Sequence, residues 1–360
     1  MKSPFKTPVK PDGAAYEACL LRKGTPKRAH LVEFFLDNEI QQEIGRRFGV
    51  AEGLDTADPH YGEKFEIALQ RFLGYDFVHC VIGHDGFESN GAIVGDTAGL
   101  SREGGRSYVN ESKGPVSTRE EFEKAHWPSP ASFNTRSLEW FEKNLPDDMC
   151  VVVWSLGQIF EDISFMMGYE TMCEALYEDP GLVRAIGEKV RAYHAEIAKV
   201  AVQFKRVRFI FPSDDMGFKN GLLVQPAWLE ELALPGHREI ARIAHEAGKN
   251  CLLHSCGKLD LIMEKLITDV RIDAKHSFED TIEDVSDAKK KYGSRIALLG
   301  GIDVDFLCRA GEQAIRSRVR EVLKKCLPGG GYALGSGNTV ANYVPVENYL
   351  AMVDEARNFA

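Results

Sequence analysis

Short apolar runs of strand length alternate with helix-length amphipathic segments along nearly the whole chain, and this alternation restricts the fold more than any other feature. The runs are Leu31–Leu36, Asp76–Val81, Cys150–Trp154, Val207–Phe211, Cys251–His254, Ile272–Lys275, Ile296–Leu299 and Gly331–Leu334. Between most of them lie helical periods: Glu39–Phe48, Lys64–Phe72, Ser137–Asn144, Tyr169–Tyr177, Gly181–Gln203, Pro226–Ala247, Leu259–Ile267, Thr281–Tyr292 and Gly311–Cys326. Asp179-Pro180 starts a helix, with Asp as N-cap and Pro in the first turn. Pro226 plays the same part after Gln225, and Gly248 ends a helix as a C′ glycine does. Strands separated by helices pair in parallel, because a parallel crossover needs a helix-length connection. Eight such units predict an α/β fold of the (β/α)8 TIM-barrel type. A doubly wound sheet is the rival, but no Gly-x-Gly-x-x-Gly follows the first run.

The expected organisation is an N-terminal extension with one short helix over residues 1–29, then a single barrel over 30–360 with a long insertion at about 83–127. That insertion is rich in Gly, Ser and Glu, with a hairpin expected around Gly91–Asn110; loops of this length often serve as lids or partner surfaces. The net charge of −10 disfavours nucleic acid and anionic membrane as partners. No apolar stretch reaches membrane-spanning length, and Met1-Lys2-Ser3-Pro4-Phe5-Lys6 lacks a signal core, so a cytoplasmic protein is expected. The eight cysteines follow no framework of spacings; apart from Cys256 they read as small buried apolar residues.

In barrels of this class, chemistry gathers at the C-terminal ends of the strands. Here those ends read Asp37-Asn38-Glu39, Gly83-His84-Asp85, Ser155-Leu156-Gly157, Ser213-Asp214-Asp215, His254-Ser255-Cys256, His276-Ser277-Phe278-Glu279-Asp280, Gly301-Ile302-Asp303 and Gly335-Ser336-Gly337-Asn338. Asp37 and Asp280 are equally explained as helix caps. His254 and Cys256 stand out. Residues i and i+2 of a strand share a face, so imidazole and thiol can enter one pocket as half of a zinc site. Further donors are sought in His276 and Glu279 on the next strand end, and in Asp214 or Asp215 on the previous one.

The segments Ile163–Gly187, Pro212–Glu230, Ala244–Lys258 and Gly331–Met352 resemble the uroporphyrinogen decarboxylase superfamily, and the resemblance runs from Arg28 to the C-terminus. It implies a (β/α)8 barrel, often dimeric, and one of two chemistries. One is metal-free decarboxylation of uroporphyrinogen in porphyrin biosynthesis. The other is methyl transfer with a corrinoid, by enzymes that hold zinc through a His-x-Cys pair and a later cysteine. His254 and Cys256 match the pair. The later cysteine sits in a Gly-Cys-Gly that here reads Gly335-Ser336-Gly337, so that ligand is missing and His276 and Glu279 are the preferred substitutes.

The decarboxylases carry an arginine-rich stretch where this chain reads Phe34-Phe35-Leu36-Asp37-Asn38-Glu39-Ile40. A mouth lined by Asp37, Glu39, Asp85, Asp214, Asp215, Glu279 and Asp303 would repel a polycarboxylate. The expected function is therefore a zinc-dependent methyltransferase, acting on a methyl ether or a thiol. Asp214 or Asp215 would orient His254, and Asp85 or His84 would protonate a leaving oxygen. Asp37, Asn38, Glu39, Asp215, Asp303 and Asn338 would line the substrate site. No Asp-x-His-x-x-Gly of a cobalamin domain occurs, so the corrinoid is expected on a separate protein.

Overall fold

A computed structural model describes residues 3–154 and 156–359. The apolar runs form the strands β1 (Phe77–Cys80), β4 (Cys150–Trp154), β5 (Val207–Phe211), β8 (Asn250–His254), β9 (Ala274–His276), β10 (Ala297–Leu299) and β11 (Tyr332–Ala333). These make one seven-stranded sheet in the order β1-β4-β5-β8-β9-β10-β11, and every pairing is parallel. The order never reverses, so each strand lies beside its successor and the sheet curls in one direction. This excludes the doubly wound rival, whose strand order must turn back at a switch point. The strands are buried on both faces, as helix-covered parallel strands are: β4 reads four buried positions and then the half-buried Trp154, and β8 is buried throughout.

The first run, Leu31–Leu36, does not form a regular strand. It makes isolated parallel bridges to the last strand region, Leu31 to Leu334 and Leu36 to Val340. Towards β1 it offers side-chain contacts: His79 bonds the Glu33 carbonyl at 3.1 Å, and Arg28 and His30 both pair with Asp76. The chain bends at Phe34, whose ring lies flat on the His254 imidazole with centroids 4.2 Å apart. That bend breaks the even backbone spacing a ladder to β1 requires. The regular ladder among the described residues is therefore a curled parallel half-barrel of seven strands.

Two hairpins interrupt the alternation. β2 (Gly91–Val94) and β3 (Arg106–Val109) pair antiparallel where a hairpin was expected, and both are largely exposed. β6 (Gly217–Phe218) and β7 (Gly221–Leu222) form a shorter one after β5. The helix Gly13–Leu20 of the N-terminal segment packs under the N-terminal ends of the strands, with the buried Tyr16 ring against Phe77 and Phe209.

Asp179 caps the helix Pro180–Ala201 by accepting from the Leu182 N–H. Gly248 follows the helix Leu234–Glu246 at φ 69°. The period Pro226–Ala247 is in fact two helices, Pro226–Leu232 and Leu234–Glu246. Pro235 has no N–H for the preceding turn, so the helix restarts there. Two further helices carry no strong signal in the sequence: Ile159–Met167, and the C-terminal Val346–Arg357, which packs on Glu312–Cys326.

Candidate metal and catalytic site

The side chains of Asp215, His254 and Cys256 converge where β5 and β8 end, each offering one donor atom, with all three atoms within 4.8 Å of one another. Cys256 Sγ lies 3.5 Å from His254 Nε2, and Asp215 Oδ1 lies 3.8 Å from the same nitrogen. Asp215 Oδ1 also accepts the Cys256 backbone N–H at 2.8 Å, which ties the two strand ends together. From the last strand end, the Asn338 amide donates to Cys256 Sγ at 3.3 Å, and the Ser277 hydroxyl lies 3.8 Å from that sulfur. Phe34 covers one face of the His254 ring. Gly257 lets the chain turn directly after the pair: its φ is 83°, and a Cβ there would meet the Gly217 backbone at 2.1 Å.

The electrostatics suit a half-buried cation site. Burial lowers the His254 pKa, against the opposing pull of Asp215, so the imidazole is neutral. Burial, then the Asp215 charge, raises the Cys256 thiol. A thiol in such a place ionises on meeting a metal, which releases its proton. One sulfur, one imidazole nitrogen and one carboxylate oxygen form the borderline-soft donor set that zinc takes, and three protein donors is the count of catalytic zinc sites. The residues present fit zinc.

Several expected site residues lie elsewhere. His276 is not among the converging donors: its Nδ1 lies 2.7 Å from Nδ1 of His254, on the side of that ring away from Cys256 and Asp215. Glu279 is not among the converging donors either. It lines a cavity of about 1150 Å3 with Asp280, Asp303, Cys308 and Tyr343, which Asn338 also borders. Ser336, at the place of the family cysteine, is buried and turned away from Cys256; its backbone N–H and hydroxyl both bond the Glu33 carboxyl.

Asp214 does not join the cluster. It is fully buried and accepts the N–H groups of Phe160 and Glu161 at 3.0 Å each and His237 Nε2 at 2.7 Å, so it caps the helix Ile159–Met167 from another part of the chain. Asp303 likewise caps Val304–Arg309 through the Phe306 N–H, and its other oxygen takes the Asp280 N–H. His84 bonds the carbonyl of the exposed Asp85, and neither contacts the three converging donors. Asp37 and Glu39 are both paired with Arg102, and with Asn38 they border a separate groove of about 840 Å3 walled by Phe35 and Trp154. Ser155 lies outside the described residues.

Three further titratable groups lie near the site. Glu161 stands beside Asp215, and burial together with the Asp215 and Asp214 charges raises its pKa. Lys275, in β9, is pushed down to about 8 by burial, and its ammonium bonds the carbonyls of Ser255, His276 and Ser277. Glu33 is pushed up to about 8 by burial, against two hydrogen bonds from Ser336. Glu33 carries a faint signal, as the one charged residue inside the apolar run Leu31–Leu36.

Glu33 gives a signed prediction. Its folded pKa lies above its unfolded value, so the folded state binds the proton more tightly. The stability this supplies is fully present below about pH 4.3 and is lost as pH rises towards about 8, a few kcal/mol in all. Glu33→Gln should remove that slope, leaving the variant more stable than the parent at pH 9. Urea midpoints from pH 5 to 9 check it; equal slopes in both proteins would refute it.

Comparison with known proteins places this geometry in a family. The sequence profile of "Uroporphyrinogen decarboxylase (URO-D)" matches residues 105–359. Uroporphyrinogen decarboxylase from Coxiella burnetii is 28% identical over 81 residues, which is 22% of this chain and 22% of that protein, so the curated relatives are matched over about a fifth of their length. Among solved structures, a methyltransferase from Methanosarcina mazei superposes with a TM-score of 0.68 over 95% of this chain and 97% of its own, at 15% identity, and so shares the fold. The profile match covers well over half of the sequence, and the chain belongs to the uroporphyrinogen decarboxylase family.

Proposed function

We propose that this chain is a methyltransferase of the family that holds one zinc ion on Asp215, His254 and Cys256 and passes a methyl group between a small molecule and a corrinoid carried by a separate protein. The observation that supports this reading is the convergence of those three donors at the strand ends. Bound there, zinc supplies Lewis acidity to a substrate heteroatom, a thiol or a methyl-ether oxygen. The chain's own residues do the rest. Phe34 keeps water from one face of His254. The Asn338 amide steadies negative charge on the Cys256 sulfur. Glu161 holds a proton beside Asp215 and takes the general-acid place expected of Asp85 or His84.

The same reading takes Leu31–Leu36 as the eighth strand of a (β/α)8 barrel, and the protein as cytoplasmic and homodimeric. No helix among the described residues is long and apolar enough to cross a membrane. Metal-free decarboxylation is the alternative, and the local match to uroporphyrinogen decarboxylase speaks for it. The mouth speaks against it: the Arg102 charge is already paired with Asp37 and Glu39, which leaves little to hold a polycarboxylate.

The experiment is demethylation of methylcobalamin by a panel of small thiols, followed by absorbance, together with demethylation of aryl methyl ethers by reduced cobalamin. Activity in one direction should vanish with a strong chelator and return with zinc. Chelator-indifferent release of carbon dioxide from a porphyrinogen would replace this reading with the alternative.

A further inference from the structure

We infer that His276 is a positioning residue that fixes the tautomer of His254, leaving Nε2 of His254 bare towards Cys256 and Asp215. The inference rests on the zinc reading above for its purpose, but its geometry stands apart from any metal. The two imidazoles meet Nδ1 to Nδ1 at 2.7 Å, deep in the core, with His276 fully buried. Two nitrogens at that distance share one proton between them: one ring donates and the other accepts. Which one donates decides what faces the thiol and the carboxylate, because a neutral imidazole carries a single N–H.

The far side of His276 makes the choice. Its Nε2 is buried and makes no hydrogen bond. The Ser336 carbonyl lies on that side, near enough to act on the ring. The two atoms face a common space over Gly300, where a Cβ would meet the Ser336 oxygen at 2.3 Å and His276 Nε2 at 3.0 Å. A bare nitrogen facing a carbonyl oxygen sets lone pair against lone pair. An N–H there faces an acceptor, the less costly of the two arrangements. His276 therefore carries its proton on Nε2 and accepts at Nδ1, and His254 donates from Nδ1.

The near side agrees. A proton on His254 Nε2 would face only Cys256 Sγ at 3.5 Å, a weak acceptor, and Asp215 Oδ1 at 3.8 Å, too far for a hydrogen bond. A bare Nε2 instead accepts from the Cys256 thiol at 3.5 Å.

The carbonyl that reads His276 is itself held in place. Ser336 is tied through its N–H and hydroxyl to Glu33. Its neighbours are glycines whose Cβ atoms would strike the Val32 carbonyl at 1.7 Å and the Phe278 carbonyl at 2.1 Å. A line of polar contacts thus runs from the donor cluster through two imidazoles to a peptide pinned on Glu33. Histidine ligands in metalloproteins are held in one tautomer by a partner on their other nitrogen, usually a carboxylate or carbonyl. Here a second imidazole fills that part.

The test reads the tautomer directly. Protein labelled with 15N-histidine and freed of metal is examined by long-range proton–nitrogen correlation, with His254→Ala and His276→Ala used for assignment. His254 should show a protonated Nδ1 and a bare Nε2; the reverse would overturn the inference with no variant needed. Zinc affinity by chelator competition should fall about 10–100-fold in His276→Ala. His276→Asn, whose Oδ1 can stand where Nδ1 stood, should recover to within about threefold of the parent. Parent-like affinity in His276→Ala, or an asparagine variant no better than alanine, would also overturn it. Should His276→Ala not fold, the parent tautomer decides alone. A protein that takes up no zinc under any condition removes the proposed function, whereas the tautomer is read without metal, so the two failures are distinguishable.

Discussion

His254→Ala and Cys256→Ala should each lower zinc content from about one per chain to below about a tenth, in protein purified without chelator and dialysed before elemental analysis. The expectation follows from donor number. Three donor atoms converge, and nothing else among the described His, Cys, Asp and Glu side chains completes the group, so removing one leaves two. Two donors cannot hold zinc against buffer, because most of the binding free energy comes from a preassembled set.

The two variants should differ in stability. Cys256→Ala removes a thiol that receives only weak sulfur contacts, from Asn338 at 3.3 Å and Ser277 at 3.8 Å. His254→Ala strips His276 Nδ1 of its partner in the fully buried core and should cost about 1–3 kcal/mol in addition. Ser336→Ala, at the position where the family cysteine is missing, should keep its zinc, because that hydroxyl faces Glu33. Full zinc in Cys256→Ala, or a trace amount in the parent protein, would remove the metal site.

Gly335→Ala should destabilise the fold by about 3–5 kcal/mol or prevent folding, although it adds one methyl group. The reason is a backbone collision. A Cβ at 335 would stand 1.7 Å from the Val32 carbonyl oxygen. Neither chain is free to yield. Val32 N–H bonds the Leu334 carbonyl at 2.9 Å, and Leu334 N–H bonds the His30 carbonyl at 2.9 Å. These bonds are how the first run joins the last strand, so relief comes only by parting the two. The donor cluster should suffer too, since Ser336 and Asn338 follow directly. Gly62→Ala is the control: it lies in the helix Tyr61–Leu73 with nothing within 4 Å of its Cβ, and should be neutral or stabilising by up to about 1 kcal/mol. Denaturant midpoints for the pair decide it, and equal midpoints would refute the collision.

The His254–Cys256 pair was legible because its logic is local. A strand places i and i+2 on one face, and that holds whatever the strand packs against. The third donor was not legible. Asp214 and Asp215 are adjacent acids at one strand end, equally able in sequence to serve. In the extended segment after β5 their side chains leave on opposite sides, one into the cluster and the other under the helix Ile159–Met167. His276 had the same ambiguity. Being on the next strand end brought it to His254, but only the packing of the two rings decided that it would meet the imidazole and not join the three converging donors.

The long elements show the same division. Seven of the eight apolar runs became strands, because burial on both faces of a parallel sheet demands continuous hydrophobicity, and such runs are visible in one dimension. The run Leu31–Leu36 has the same composition yet pairs only through isolated bridges, since the bend at Phe34 answers to His254, more than two hundred residues away in the chain. By itself, then, the amino-acid order determined the alternation of elements, the parallel sheet and the two residues that a single strand aims together, because each depends on neighbours within a few positions. Which acid joins them, which histidine meets them and how the first run joins the last strand were decided by tertiary structure, because hydrogen bonds and ring contacts between distant strand ends exist only once the sheet has curled.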